Sequence, residues 1–121
     1  MLSLDVKAIG TVRALEDGRS MLHILPSYKD GLHGLSAGDR VQILYWMHEL
    51  SHSDRRTLQT WPGGDRSLPL RGVFALRSCV RPNPIGVTDV DVVEVRETGL
   101  VVVGLDARDG APIIDIKVGW R

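Results

Sequence analysis

The stretch VTDVDVVEVRETGLVVVGL, from Val87 to Leu105, decides the fold class of this chain. It is rich in β-branched residues, which favour extended backbone, and its ETG segment is typical of a turn between two strands. A regular strand would keep strict alternation, but the valines at 87, 90, 92, 93 and 95 change phase twice. The stretch therefore predicts two antiparallel strands, the first with a bulge or with a bend at a barrel corner.

The apolar segments outside this stretch predict further short strands. They are DVKAIGTVRAL, MLHILP, RVQILYWMHEL, GVFALRS and PIIDIKVGW, and Asp17-Gly18 predicts a hairpin turn between the first two. RVQILYWMHEL is apolar throughout, and its β-branched and aromatic residues favour a strand over a short buried helix. HSDRRTLQTW predicts a short helix, and the rest of residues 51–70 is expected to be a long loop.

About seven short strands with little helix predict an all-β fold, a small antiparallel β-barrel. A βαβ fold would need amphipathic helices between the strands, and a Rossmann nucleotide site would need a G-x-G-x-x-G fingerprint. The sequence has neither, which argues against both. With 121 residues, the chain is expected to form one domain over residues 1–121.

The composition narrows the classes of partner. Fifteen basic and fifteen acidic residues give a net charge of zero, so any nucleic-acid site must be a local patch. Cys79 is the sole cysteine, which excludes an intrachain disulfide, and the cysteine and four scattered histidines argue against a structural zinc site. No metal is therefore expected. The sequence has no apolar run near the ~20 residues of a membrane helix and no signal-peptide pattern, so we expect no membrane span and a cytoplasmic location.

A basic segment runs from Arg66 to Thr88, with arginines at 66, 71, 77 and 81 and no carboxylate. Its RPNPIG stretch is stiff, because Pro82 and Pro84 fix their own φ and push the preceding residues into extended backbone. The segment is either a solvated basic face or a preorganised anion site, since guanidinium groups suit carboxylates and phosphates.

An acidic segment, LDARDGAPIIDIK, lies near the C-terminus. Asp-Gly is a common turn and PIIDIK a plain strand, but Asp115 and Lys117 share one face of that strand. That pair is either a solvated stripe or part of a pocket for a charged ligand. In YWMHEL, His48 is more typical of a structural histidine, and Trp46 and Met47 are more typical of a core than of a cofactor site.

Three segments of the chain resemble the three conserved blocks of the TsaA-like family, also called the tRNA methyltransferase O family. They are RGVFALRSCVRPNPIG, GLDARDGAPIIDIK and YKDGLHGLSAGDRVQILYWMH, and the match runs from about Ile9 to Lys117. The resemblance implies a small antiparallel β-barrel, a homodimer, S-adenosylmethionine as cofactor and a methyltransferase outside the Rossmann class. The best-known family activity methylates N6 of threonylcarbamoyladenosine beside the tRNA anticodon.

The resemblance also implies which residues bind the cofactor. Those positions are Met47, His48, Arg77, Val87 and the loop of Asp106, Ala107, Arg108, Asp109 and Gly110. The loop suits the cationic parts of S-adenosylmethionine, and Arg77 suits its carboxylate. We expect Asp115 to be the catalytic carboxylate that holds the target amino group. We expect Arg81, Asn83 and Lys117 to contact the substrate.

The chain departs from the family pattern at several positions. Before the proline pair, the family's usual SPF is replaced by SCV, with Cys79 and Val80. The family's DGTP is replaced by DGAP, with Ala111, and its DIKPY is replaced by DIKVGW. A PRQ motif of the family is missing. Three functions therefore stay open: methylation of tRNA, methylation of a small molecule or protein, and a non-catalytic S-adenosylmethionine-binding sensor or assembly module.

Overall fold

A computed structural model describes residues 2–49 and 51–119 of the chain. In these residues eight strands and one α-helix form. They are β1 (Gly10–Ala14), β2 (Arg19–Ile24), β3 (Arg40–Trp46), α1 (His52–Arg56), β4 (Gln59–Thr60), β5 (Arg71–Gly72), β6 (Ile85–Arg96), β7 (Gly99–Val103) and β8 (Pro112–Val118). Within the same residues no helix combines the length and the apolar character that crossing a membrane requires.

Six of the strands close into a barrel in the order β1-β2-β7-β6-β3-β8, so the all-β barrel prediction is confirmed. The pairing of β1 with β8 closes the ring, with Gly10 opposite Ile113. β6 and β7 form the antiparallel pair expected from the valine-rich stretch. Their register shifts between Val92 and Glu94, where the change of phase predicted a bulge.

The barrel core follows from alternation along the strands. In β3, Val41, Ile43 and Tyr45 are buried while their neighbours are partly exposed. Leu100 from β7 and Ile113 from β8 are fully buried as well. Side chains thus fill the interior, as they do in other small barrels, and ligands must bind at loops and strand ends.

The chain divides into two compact units. We call Met1–Trp46 with Gly86–Arg121 the barrel unit, and Met47–Ile85 the intervening unit. That the two fold together as one domain stays a prediction from chain length.

The intervening unit holds α1 and the two-stranded sheet β4-β5. The short helix is as expected, and Ser51 and Asp54 form a capping box at its start. The strand predicted for GVFALRS is wrong, because after β5 the chain makes a 3-10 turn over Val73–Ala75. Val73 is buried and Phe74 is exposed, which is the same alternation that a strand with one buried face would show.

Candidate functional site

The acidic loop Asp106–Gly110, which we name the cofactor loop for its predicted role, joins β7 to β8 in the barrel unit. Its second half is anchored to β1: the Asp109 carboxylate accepts from the Ala14 N–H at 2.8 Å, and the Gly110 N–H donates to the Val12 carbonyl at 2.7 Å. Gly110 has a φ of 85°, which the tight turn between Arg108 and Ala111 requires. The Asp-Gly pair therefore fixes the shape of the loop.

The first half of the cofactor loop is anchored to β3. Tyr45 donates its hydroxyl proton to the Asp106 carbonyl at 2.6 Å, and the same hydroxyl lies 3.1 Å from Thr88 Oγ1 on β6. Val87, which is 40% exposed, precedes Thr88. Tyr45 thus connects the cofactor loop with β6, the strand that carries Val87. Both the loop and Val87 are predicted to bind the cofactor.

Asp115 and Lys117 form an ion pair on β8 at 3.2 Å. The Asp115 carboxylate also accepts from the Ile116 N–H at 2.9 Å. Asp115 lines a cavity of about 360 Å³ together with Ile9, Ile24, Tyr28, Gly31, Leu32, His33, Leu35, Ile116 and Val118. No residue of the cofactor loop lines that cavity. The structure therefore does not bring the predicted catalytic carboxylate into one cavity with the cofactor loop.

The predicted residues of the intervening unit lie around the RPNPIG stretch. The Met47 N–H donates to the Pro84 carbonyl at 2.7 Å, and Arg55 Nε donates to the Pro82 carbonyl at 2.9 Å. His48 and Asn83 are exposed, and His48 Nε2 lies 3.9 Å from a carboxylate oxygen of Glu49. Hydrogen bonds to two of its carbonyls therefore add to the stiffness that the prolines give this stretch.

The two predicted arginines have different environments. Arg77 is exposed, and with Phe74, Ala75, Leu76 and Arg81 it lines a cavity of about 630 Å³. Arg81 donates from Nη2 to the Val73 carbonyl at 2.5 Å and to the Leu76 carbonyl at 2.9 Å. Its Nε is buried and has no hydrogen-bond partner among the described residues. Arg81 thus holds the 3-10 turn, while Arg77 presents its charge to solvent.

The site predictions divide between the two units. Val87, the cofactor loop, Asp115 and Lys117 lie in the barrel unit, whereas Met47, His48, Arg77, Arg81 and Asn83 lie in the intervening unit. Sequence reasoning missed Tyr45. The signal was present, because the alternation of Val41, Ile43 and Tyr45 buries a tyrosine whose hydroxyl must find a partner.

The family comparison matches most of the chain. Residues 11–119 match the family model described as the tRNA-methyltransferase O N-terminal domain. A probable S-adenosyl-L-methionine-binding protein of Methanocaldococcus jannaschii is 40% identical over 114 residues, which span 93% of this chain and 90% of that protein. The tRNA (adenine(37)-N6)-methyltransferase of Escherichia coli is 36% identical over 139 residues, which span 97% of this chain and 58% of that enzyme.

The fold comparison agrees with the sequence match. The crystal structure of TrmO from Pseudomonas aeruginosa superposes with a TM-score of 0.73 at 27% identity, over 98% of this chain and 57% of that one. The chain thus spans just over half the length of the Escherichia coli enzyme and of TrmO from Pseudomonas aeruginosa, but nearly the whole length of the archaeal protein. On the family match and the shared barrel, the chain belongs to the tRNA-methyltransferase O N-terminal domain family.

Proposed function

We propose that this chain is an S-adenosylmethionine-dependent methyltransferase that acts on tRNA, at N6 of threonylcarbamoyladenosine beside the anticodon. The family match over residues 11–119 is the observation that carries the proposal. The Escherichia coli relative is named for the same chemistry, and the barrel is consistent with a methyltransferase outside the Rossmann class.

The cofactor-binding residues proposed here are Met47, His48, Arg77, Val87 and the cofactor loop. Their chemistry fits the cofactor: the exposed carboxylate of Asp106 suits a sulfonium and an ammonium, and the exposed guanidinium of Arg77 suits a carboxylate. The exposed valine side chain at 87 offers an apolar surface to adenine. When bound, S-adenosylmethionine supplies an activated methyl group, and the protein's part is to orient donor and acceptor.

The acceptor-side residues are also part of the proposal. Asp115 and Lys117 offer a carboxylate and an ammonium on one strand, and Asn83 presents an exposed amide. Arg81 is the weakest of these assignments, because its Nη2 already donates to two backbone carbonyls.

The charge distribution supports an RNA substrate. The intervening unit has six arginines, no lysine and three carboxylates, a net charge of +3 in a chain whose total is zero. Arg66 lies 4.6 Å from the centre of the Trp61 ring, so this unit also combines a cation with an aromatic face. Arginine and aromatic side chains are the groups that hold phosphates and unstacked bases.

A second candidate is cofactor binding without tRNA methylation, either as a sensor or with another methyl acceptor. It is favoured by the name of one relative: the Methanocaldococcus jannaschii protein, of which the chain covers 90%, is named only for S-adenosyl-L-methionine binding.

A homodimer and a cytoplasmic location complete the proposal. Because side chains such as Leu22, Ile43 and Leu100 fill the barrel interior, the cofactor is proposed to bind at the barrel surface, in a site shared with a second copy. Light scattering with and without S-adenosylmethionine tests the dimer.

Transfer of labelled methyl groups to bulk tRNA, prepared with and without the threonylcarbamoyl group, tests the activity. We expect transfer only to the modified tRNA, and little transfer by the Arg77→Ala variant. Because the Arg77 side chain is exposed, its removal should leave the fold unchanged. Calorimetry with S-adenosylmethionine runs in parallel. Tight cofactor binding without transfer to either tRNA would refute the tRNA proposal and favour the second candidate.

A further inference from the structure

The hydroxyl of Tyr45 is the centre of a short hydrogen-bond chain in the barrel unit. Tyr45 is 6% exposed at the end of β3, and its hydroxyl contacts the Asp106 carbonyl and Thr88 Oγ1. A tyrosine hydroxyl has one proton, and a carbonyl oxygen only accepts, so Tyr45 donates to Asp106. Thr88 must therefore donate to Tyr45, which gives the chain a fixed direction from β6 through β3 to the loop.

The ring of Tyr45 is held in place by Gly86. A Cβ at position 86 would lie 2.5 Å from Cε2 and Cζ of Tyr45 and 2.8 Å from its hydroxyl oxygen. The aromatic ring therefore packs directly on the backbone at Gly86, where no other residue type fits without a shift. This close approach explains the glycine that ends RPNPIG.

We infer that Tyr45 is a positioning residue for the cofactor loop; the inference rests on the cofactor role proposed above for that loop. Asp109 and Gly110 anchor the second half of the loop to β1. Tyr45 fixes the first half at the carbonyl of Asp106, and so sets where the exposed carboxylate of the same residue lies. Preorganisation of that carboxylate lowers the cost of binding a cation there.

Tyr45→Phe tests this inference, because it removes the hydroxyl and keeps the ring on Gly86. Hydrogen exchange of the cofactor-free protein reports how well the loop is ordered. We expect faster exchange at Gly110 and Ala111, whose N–H groups donate to the Val12 and Arg108 carbonyls, with strand amides of β2 and β7 unchanged. Calorimetry then compares S-adenosylmethionine with S-adenosylhomocysteine, which lacks the sulfonium charge. We expect about tenfold weaker binding of S-adenosylmethionine and a smaller loss for the neutral analogue, a difference that general destabilisation would not produce.

Tyr28→Phe is the matched control, since it deletes the same atom from a tyrosine that is 36% exposed and lies outside the hydrogen-bond chain. Thr88→Val removes the hydroxyl group that donates to Tyr45, and it should reproduce part of the effect of Tyr45→Phe. Unchanged loop exchange in Tyr45→Phe, or binding of S-adenosylmethionine as tight as in the wild type, would overturn the inference. If the wild-type protein binds neither ligand, the cofactor proposal fails, and with it the role of Tyr45 toward a cofactor, while exchange still shows whether Tyr45 anchors the loop.

Discussion

The carboxylate of Asp109 accepts a hydrogen bond from the backbone N–H of Ala14 at 2.8 Å, across 95 positions of sequence. Ala14 ends β1, so this bond ties the turn of the cofactor loop to the first strand of the barrel. We therefore propose different roles for the two carboxylates of the loop. Asp109 uses its oxygen to hold the backbone, whereas the exposed carboxylate of Asp106 is proposed to face the ligand.

Substitutions at Asp109 and Asp106 should distinguish these two roles. Asp109→Ala removes the acceptor and should lower the free energy of unfolding by about 1 kcal/mol, the usual net worth of a hydrogen bond. Asp109→Asn keeps an acceptor oxygen and should restore most of that loss. Asp106→Ala should leave urea unfolding unchanged and weaken S-adenosylmethionine binding in calorimetry. Equal unfolding curves for Asp109→Ala and Asp106→Ala would contradict this division.

Gly86→Ala should destabilise the barrel unit. The added Cβ would meet the buried ring of Tyr45 at 2.5 Å, and overpacking of this kind costs about 1–3 kcal/mol. Gly31→Ala is the control, because a Cβ there meets nothing within 4 Å. Urea unfolding measures both variants. A Gly86→Ala protein as stable as Gly31→Ala would show that the Tyr45 ring moves aside at no cost.

The barrel could be predicted from the sequence because its signals are local. Valine-rich strands, an Asp-Gly turn and a change of phase near Val92 are each signals that span a few residues, and the structure confirms the prediction from each. The error at GVFALRS has a physical cause. Burial of Val73 beside exposed Phe74 resembles strand alternation, but the 3-10 turn there is held by Arg81, five to eight residues further on. No local pattern contains that contact.

The candidate site was predicted less completely for the same reason. Resemblance to the family predicts a cofactor role for the loop, yet the hydrogen bonds that shape the loop, from Tyr45 and Ala14, join residues 61 and 95 positions apart. Asp115 and the cofactor loop lie near each other in sequence, but no residue of that loop lines the cavity that Asp115 lines.

The main effect of Arg81→Ala should be a loss of stability of the folded protein, not a loss of substrate binding. The guanidinium holds the Val73 and Leu76 carbonyls, so its loss should lower the free energy of unfolding by about 1–3 kcal/mol. Arg77→Ala, which removes an exposed guanidinium from the same cavity, should leave unfolding within about 0.5 kcal/mol of wild type. Chemical unfolding compares the two, and the reverse order of stabilities would refute the structural role of Arg81.

Asp65 should titrate below its ordinary range. The Ser67 hydroxyl at 2.6 Å and the Ser67 N–H at 3.0 Å lower the pKa of Asp65 from its ordinary 3.8. Because the folded pKa is depressed, the contribution of this group to stability is complete above the unfolded pKa and is lost as the pH falls through the folded pKa. An NMR titration of the Asp65 side chain checks the direction. Ser67→Ala should raise the pKa towards its ordinary value, and a pKa unmoved by that change would contradict the assignment.

Binding of tRNA should be salt-dependent, and the dependence should come from the intervening unit. Each phosphate contact releases counterions, so loss of one contacting arginine should reduce the slope of log K against log salt by about 1. Arg71→Ala removes an exposed cation of that unit, and Lys7→Ala removes one from the barrel unit. Filter binding from low to moderate salt should show a shallower slope for Arg71→Ala and the wild-type slope for Lys7→Ala. Equal slopes for the three proteins would place the RNA contact away from Arg71, and a flat dependence in the wild type would argue against a tRNA substrate.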